Sequence, residues 1–226
     1  MILEVKNLKV VLGNKIILEN LSFSVAEREI FVILGPNGAG KTVLLRALLK
    51  LLPYEGSVQW FPPDIRIGYV PQRIPLIEDL PLTVAEFFQL KDVSEEEMLK
   101  NLKAVGLSEK FFHQPIGKLS SGQFQRVLIA YGISHSPKVL LFDEPTAGID
   151  LEGEETVYKM LEKIAKERKL TILLVTHDLN VVYQYATNVL CLNKKAVCYG
   201  PPKKVLTKEK LDKLFGNEVK IYHYYH

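Results

Sequence analysis

At 226 residues the chain can bury one sizeable shared core and needs no disulfide or metal staple to do so. Its 47% apolar and 24% charged residues exclude an extended disordered or low-complexity protein, and a net charge of only +3 offers no strong nucleic-acid stripe. The charge is uneven: residues 194–220 hold eight lysines against three acids, a cluster that reads as a solvated face, and the remainder is slightly acidic.

The chain begins Met1-Ile2-Leu3-Glu4, without the basic segment and apolar stretch of a secretory signal. Its longest apolar runs fall far short of the ~20 residues that cross a bilayer. Ile2 to Leu12 and Ile16 to Val25 are two extended stretches around Gly13-Asn14, the pattern of a hairpin. Glu29 to Leu34 is a short buried strand, and Lys41 to Leu52 is an apolar helical stretch that stops at Pro53. Gly56 to Trp60 and Ile67 to Val70 read as further strands on either side of the breaker Phe61-Pro62-Pro63-Asp64.

Residues 83–136 form a mostly helical block. Within it Ser94 and Glu97 have the spacing of a capping box, Met98, Leu102 and Val105 recur at helical spacing, and Gly106 supplies a stop. Strand and helix then alternate again, with strands at Lys138 to Phe142 and Leu170 to Thr176 and an amphipathic helix from Glu152 to Arg168 between them. This order implies a single α/β domain over 1–226, with a mostly parallel core sheet, an N-terminal antiparallel β region and an α-helical subdomain inserted at 83–136. Cys191 and Cys198 flank Lys194-Lys195, and a two-residue loop there would set them opposite each other on paired strands. That geometry suits a disulfide or a metal pair. Free core thiols are the expectation, because two thiols alone do not complete a zinc site and no secretory signal points to an oxidising compartment.

Gly35-Pro36-Asn37-Gly38-Ala39-Gly40-Lys41-Thr42 has the P-loop pattern between a strand and a helix. Glycines let successive N–H groups curl around phosphate oxygens, and the helix N-terminus adds positive potential. Lys41 reaches the β- and γ-phosphates, and the Thr42 hydroxyl can ligate Mg²⁺. A nucleoside triphosphate is implied. The guanine signature of a GTPase is lacking, since Asn193-Lys194-Lys195 is followed by Ala196 and not by an Asp. Asp143 and Glu144 end a buried strand and point to opposite sides of it. This lets Asp143 hold Mg²⁺ while Glu144 polarises the attacking water as a general base.

With these residues the chain resembles the ABC ATPase family through nearly its whole length. The P-loop is followed in order by Gln72 in Tyr69-Val70-Pro71-Gln72-Arg73 and by the signature Leu119-Ser120-Ser121-Gly122-Gln123. Next come Asp143-Glu144, a D-loop Ala147-Gly148-Ile149-Asp150, and His177 in Thr176-His177-Asp178. The resemblance implies that Gln72 touches the metal or the attacking water, and that His177 contacts the γ-phosphate. It also implies that Ser120, Ser121, Gly122 and Gln123 close over the nucleotide of a second copy, with Asp150 in the D-loop. ATP and Mg²⁺ are the implied cofactors. The chain departs from the family at Ser121, where Gly is usual, and at Leu12, where an aromatic residue usually stacks on adenine. Leu12 gives apolar contact without stacking, so weaker nucleotide binding is expected.

Ile67 to Arg73, Leu80-Pro81-Leu82-Thr83-Val84, Val189 to Asn193 and the ending Ile221-Tyr222-His223-Tyr224-Tyr225-His226 are similar to the ATPases of zinc and manganese importers, most closely those for zinc. The resemblance implies a homodimer on the cytoplasmic face of the inner membrane. It would be docked on separate permease subunits, with an extracytoplasmic metal-binding protein as an indirect partner and no nucleic acid. An ATPase for manganese, iron or another substrate is the alternative, followed by a soluble ABC clamp protein. His223 and His226 suit weak zinc sensing, although a frayed polar-aromatic tail accounts for them more simply.

Overall fold

The computed structural model describes residues 1–72, 81–144 and 151–216. In chain order its elements are β1 (Leu3–Leu12), β2 (Lys15–Val25), β3 (Ile30–Leu34), α1 (Lys41–Leu48), β4 (Glu55–Trp60), β5 (Ile67–Val70), α2 (Val84–Gln89), α3 (Glu95–Ala104) and α4 (Ser121–Gly132). These are followed by β6 (Val139–Asp143), α5 (Leu151–Arg168), β7 (Thr171–Thr176), α6 (Leu179–Tyr185), β8 (Asn188–Asn193), β9 (Lys195–Gly200), α7 (Pro202–Val205) and α8 (Lys208–Phe215). The chain divides into two compact units, one of Met1–Phe61 with the residues from Val175 onward, the other of Pro62–Leu174.

In the first unit β2, β1 and β4 form an antiparallel sheet in that order. In β1 Leu3 and Val5 are buried two apart, and so are Leu8 and Val10 after an irregularity at the exposed Lys6 and Asn7 (φ 50°). This period-two pattern is what fixes a strand with one covered face. β3 pairs in parallel with β8, and β8 pairs antiparallel with β9. Phe31 to Leu34 are all fully buried, as expected of a strand covered on both faces. Phe23 of β2 stacks on Phe31 of β3, with centroids 5.5 Å apart. Helix α1 ends at Leu48 and not at Leu52, because Lys50 turns left-handed (φ 58°) and the indole of Trp60 donates to the Leu48 carbonyl at 3.0 Å. That bond satisfies one of the orphan acceptors of the last turn.

In the second unit β5 and β6 run parallel, pairing Ile67 with Val139 through Val70 with Phe142. The helices between them begin with side-chain caps. Thr83 and Glu86 form a full capping box on α2, which holds the Glu86 carboxyl below its usual range through the hydrogen bonds from the Thr83 backbone and hydroxyl. On α3 the expected box is half made. Ser94 Oγ accepts from Glu97 N, but Glu97 Oε1 accepts instead from the backbone N–H of His135 at 2.6 Å. Met98, Leu102 and Val105 are buried, and Gly106 ends the helix with φ 76°. The mostly parallel strands, the antiparallel N-terminal sheet and the helical block together are the P-loop α/β architecture expected from the sequence.

Cys191 and Cys198 pair across β8 and β9 as expected, with Cα atoms 4.8 Å apart, around a turn tightened to Lys194 alone (φ 58°). The expectation of free thiols is overturned: the structure joins them as a disulfide.

Candidate nucleotide site

The first unit carries the P-loop. β3 delivers the chain to Gly35, which is buried, and a Cβ there would run into the carbonyl oxygen of Leu192. At Gly40, with φ 96°, a Cβ would lie 2.7 Å from Leu18 Cδ2. Glycine at these two positions is therefore set by close backbone approach and by left-handed conformation. Between them Ala39 N donates to Pro36 O at 3.2 Å, and Leu44 N donates to Gly40 O at 2.8 Å, where helix α1 begins. No side chain caps α1 and no acid lies in its first turn, so its positive end faces the loop unneutralised by either.

Lys41 is 6% exposed, and its ammonium reaches back over the loop to donate to Gly35 O at 2.8 Å and to Pro36 O at 3.0 Å. Thr42 follows, half-buried. Asn37 and Gly38 are exposed, and a Cβ on Gly38 would meet nothing. The loop is thus pinned at its two ends and open in its middle, a shape that suits a phosphate group held by main-chain N–H groups.

His177 also belongs to this unit. It lies just past β7 with its side chain exposed, between Thr176, which is buried, and Asp178. Asp178 N donates to Thr176 Oγ1 at 3.1 Å, and Asp178 Oδ1 accepts from Asn180 N at 2.7 Å, capping α6. These two bonds fix the backbone on which the imidazole is presented.

The second unit carries the carboxylates. Asp143 is the last residue of β6 and is 2% exposed. Glu144 takes φ 48°, the left-handed region that costs a side-chain-bearing residue about 1–2 kcal/mol. Val70 pairs with Phe142, so Gln72 and Glu144 each lie two residues beyond a paired position on neighbouring parallel strands. Their side chains meet there: Gln72 Nε2 donates to Glu144 Oε2 at 2.6 Å. The parallel register explains why two residues 72 apart in sequence form one contact.

The signature segment opens α4 in the same unit. Ser120 Oγ accepts from Gln123 N at 3.2 Å and Gln123 Oε1 accepts from Ser120 N at 3.0 Å, a complete capping box. The box occupies the N–H groups of Ser120 and Gln123 and leaves those of Ser121 and Gly122 outside it. Ser121, at the position where the family usually has glycine, is exposed. A Cβ on Gly122 would touch nothing within 4 Å.

Leu12 is 37% exposed and Ile16 46% exposed, an apolar tip on the β1–β2 hairpin. Asp150, like the rest of the D-loop, lies outside the described residues, as do His223 and His226. The support behind the P-loop was missed by sequence reasoning: besides the Leu192 carbonyl at Gly35, Lys194 N donates to Ala39 O at 3.0 Å. Both contacts are made by main chain, so no residue type could announce them. Among the described residues no helix is long and apolar enough to cross a membrane.

Known proteins share this arrangement. The sequence profile described as ABC transporter matches residues 18–147. A zinc import ATP-binding protein of Cereibacter sphaeroides is 43% identical over 206 residues, covering 91% of this chain and 84% of its own length. Among solved structures, a transporter described as of the metal-chelate ABC type, in an inward-facing conformation, superposes with a TM-score of 0.83 at 27% identity, over 94% of this chain and 88% of that one. A bacterial ABC transporter cassette solved as a dimer superposes with a TM-score of 0.75 at 29% identity, over 88% of this chain and 98% of the cassette. By its sequence, its fold and the order of its motifs, the chain belongs to the ABC transporter family of ATP-binding cassettes.

Proposed function

We propose that the chain is the ATP-hydrolysing subunit of a zinc importer, working as a homodimer on the cytoplasmic side of separate permease subunits. The observation that carries the catalytic half is the Gln72–Glu144 hydrogen bond, which presents an oriented carboxylate at the end of a buried strand. The zinc half rests on the likeness to zinc import ATP-binding proteins over nine-tenths of the chain.

In this reading main-chain N–H groups between residues 37 and 42 bind the β- and γ-phosphates and the Lys41 ammonium turns from the carbonyls of Gly35 and Pro36 to the phosphate oxygens. The Thr42 hydroxyl and the Asp143 carboxylate, together with Gln72, are hard oxygen donors that would hold Mg²⁺, which would supply charge neutralisation at the phosphates. Glu144 accepts a proton from the attacking water while Gln72 donates to its Oε2. His177 contacts the γ-phosphate. The Ser121 and Gly122 N–H groups bind the nucleotide held by the second copy, with Asp150 alongside, so that each site is completed only in the dimer. Closure on ATP and reopening after hydrolysis would drive the permease through the segment at Gln72 and the helices of residues 83–136.

Glu144→Gln tests the catalytic assignment. The variant should bind ATP with Mg²⁺ as the wild type does and lose hydrolysis by about 10²-fold or more. Turnover within a few-fold of wild type would remove Glu144 from the role of base.

A further inference from the structure

We propose that Cys191 and Cys198 are a reversible thiol–disulfide pair whose oxidation state sets the nucleotide affinity of the P-loop. The proposal rests on the reading that residues 35–42 bind nucleotide. The bridge spans only seven residues of a hairpin that already brings its ends together. A loop this short loses little chain entropy on closure, so the bridge acts on local geometry more than on global stability.

What it holds is the support of the P-loop. Cys191 is the parallel partner of Leu34, the last residue before Gly35. The next carbonyl, of Leu192, is the group against which Gly35 packs without room for a Cβ. Lys194 N donates to Ala39 O at 3.0 Å, and Lys194 O accepts from Glu19 N at 2.9 Å. Leu192 and Lys194 both lie inside the covalent ring closed by Cys191 and Cys198. The two ends of the phosphate loop therefore lean on a hairpin segment whose freedom the disulfide limits.

The chemistry is thiol exchange. The thiolate of a low-molecular-weight thiol attacks Cys198 Sγ, forming a mixed disulfide and releasing Cys191 as a thiolate. A second small thiol then attacks the mixed disulfide, leaving two protein thiols and one small-molecule disulfide. Cys198 is the sulfur to attack first, since it lies on β9, the last strand of its sheet, and is 5% exposed where Cys191 is fully buried. Oxidation runs the same steps backwards with a small-molecule disulfide. Reduction frees residues 192–194 to shift away from Gly35 and Ala39, which weakens the preorganised phosphate cradle.

The test uses the full chain, poised with glutathione and with glutathione disulfide, its thiol state read by intact mass, and its affinity for a fluorescent ATP analogue measured in each state. The oxidised form should bind about fivefold or more tightly than the reduced form. Cys198→Ser should bind like the reduced wild type and ignore the redox buffer. Equal affinities in two states whose masses differ by the two hydrogens would overturn the proposal, as would a pair that stays in one state in both buffers. Absence of nucleotide binding in either state would instead overturn the reading of residues 35–42, and this proposal with it. The comparison of wild-type states needs no variant to fold.

Discussion

Gly122→Ala separates a structural glycine from one kept bare for a second copy. Gly122 is the second residue of α4, and a Cβ built on it meets no atom of the chain within 4 Å. Within one subunit the substitution should therefore help. Alanine favours a helical position over glycine by about 0.5–1 kcal/mol, which for a domain of this size raises Tm by about 1–3 °C. In the proposed dimer each added methyl would enter the space taken by the partner's triphosphate, where overpacking costs about 1–3 kcal/mol per site. With two such sites in the symmetric dimer the cost is about 2–6 kcal/mol, so ATP-dependent dimerisation should weaken roughly thirtyfold or more. The assay is sedimentation velocity with ATP and Mg²⁺, performed in the Glu144→Gln background so that the closed state accumulates, alongside a thermal melt. A variant that melts higher and still dimerises at wild-type concentration would show that nothing approaches Gly122, and would refute the completion of each site by the second copy.

Two further substitutions test the hairpin tip and the buried polar cluster. Leu12→Tyr should tighten ATP binding by about 0.5–1.5 kcal/mol, or roughly two- to tenfold, by adding ring stacking at the exposed hairpin tip; an unchanged dissociation constant in calorimetry contradicts adenine contact there. Asn101→Leu should destabilise the fold by about 1.5–3 kcal/mol in urea titration. Asn101 is buried, donates to Ser134 Oγ at 3.1 Å and accepts from Arg168 Nη2 at 2.8 Å. Burial already lowers the Arg168 pKa, against the opposing charges of Glu97 and Glu167, and the loss of that acceptor adds to its desolvation. A neutral effect would mean that the guanidinium finds another partner at no cost.

The strands were legible because their signal is local. The alternation in β1 and the unbroken apolar run of β3 each fix burial without reference to any distant residue. Boundaries set by tertiary contacts were less so. Helix α1 stops early where Trp60 reaches its last turn, and Glu97 leaves its cap to bind His135 N, choices that depend on residues 12 and 38 positions away. At the site, Gly35 to Thr42 could be read from composition and spacing because glycine and lysine are required there by backbone approach and charge. The Gln72–Glu144 contact needed the register of β5 on β6. The disulfide ran against expectation although the hairpin pattern already set the two cysteines opposite each other, because the lack of a secretory signal was weighed above that pairing.

The most direct test of the account is metal uptake into vesicles carrying the chain with the permease that co-purifies with it. Zinc should accumulate only with ATP and Mg²⁺, in preference to manganese and iron, and Glu144→Gln should abolish the uptake. ATP hydrolysis accompanied by accumulation of manganese or iron and not of zinc would contradict the assignment to zinc import. Hydrolysis that drives no metal across the vesicle membrane would contradict the importer itself.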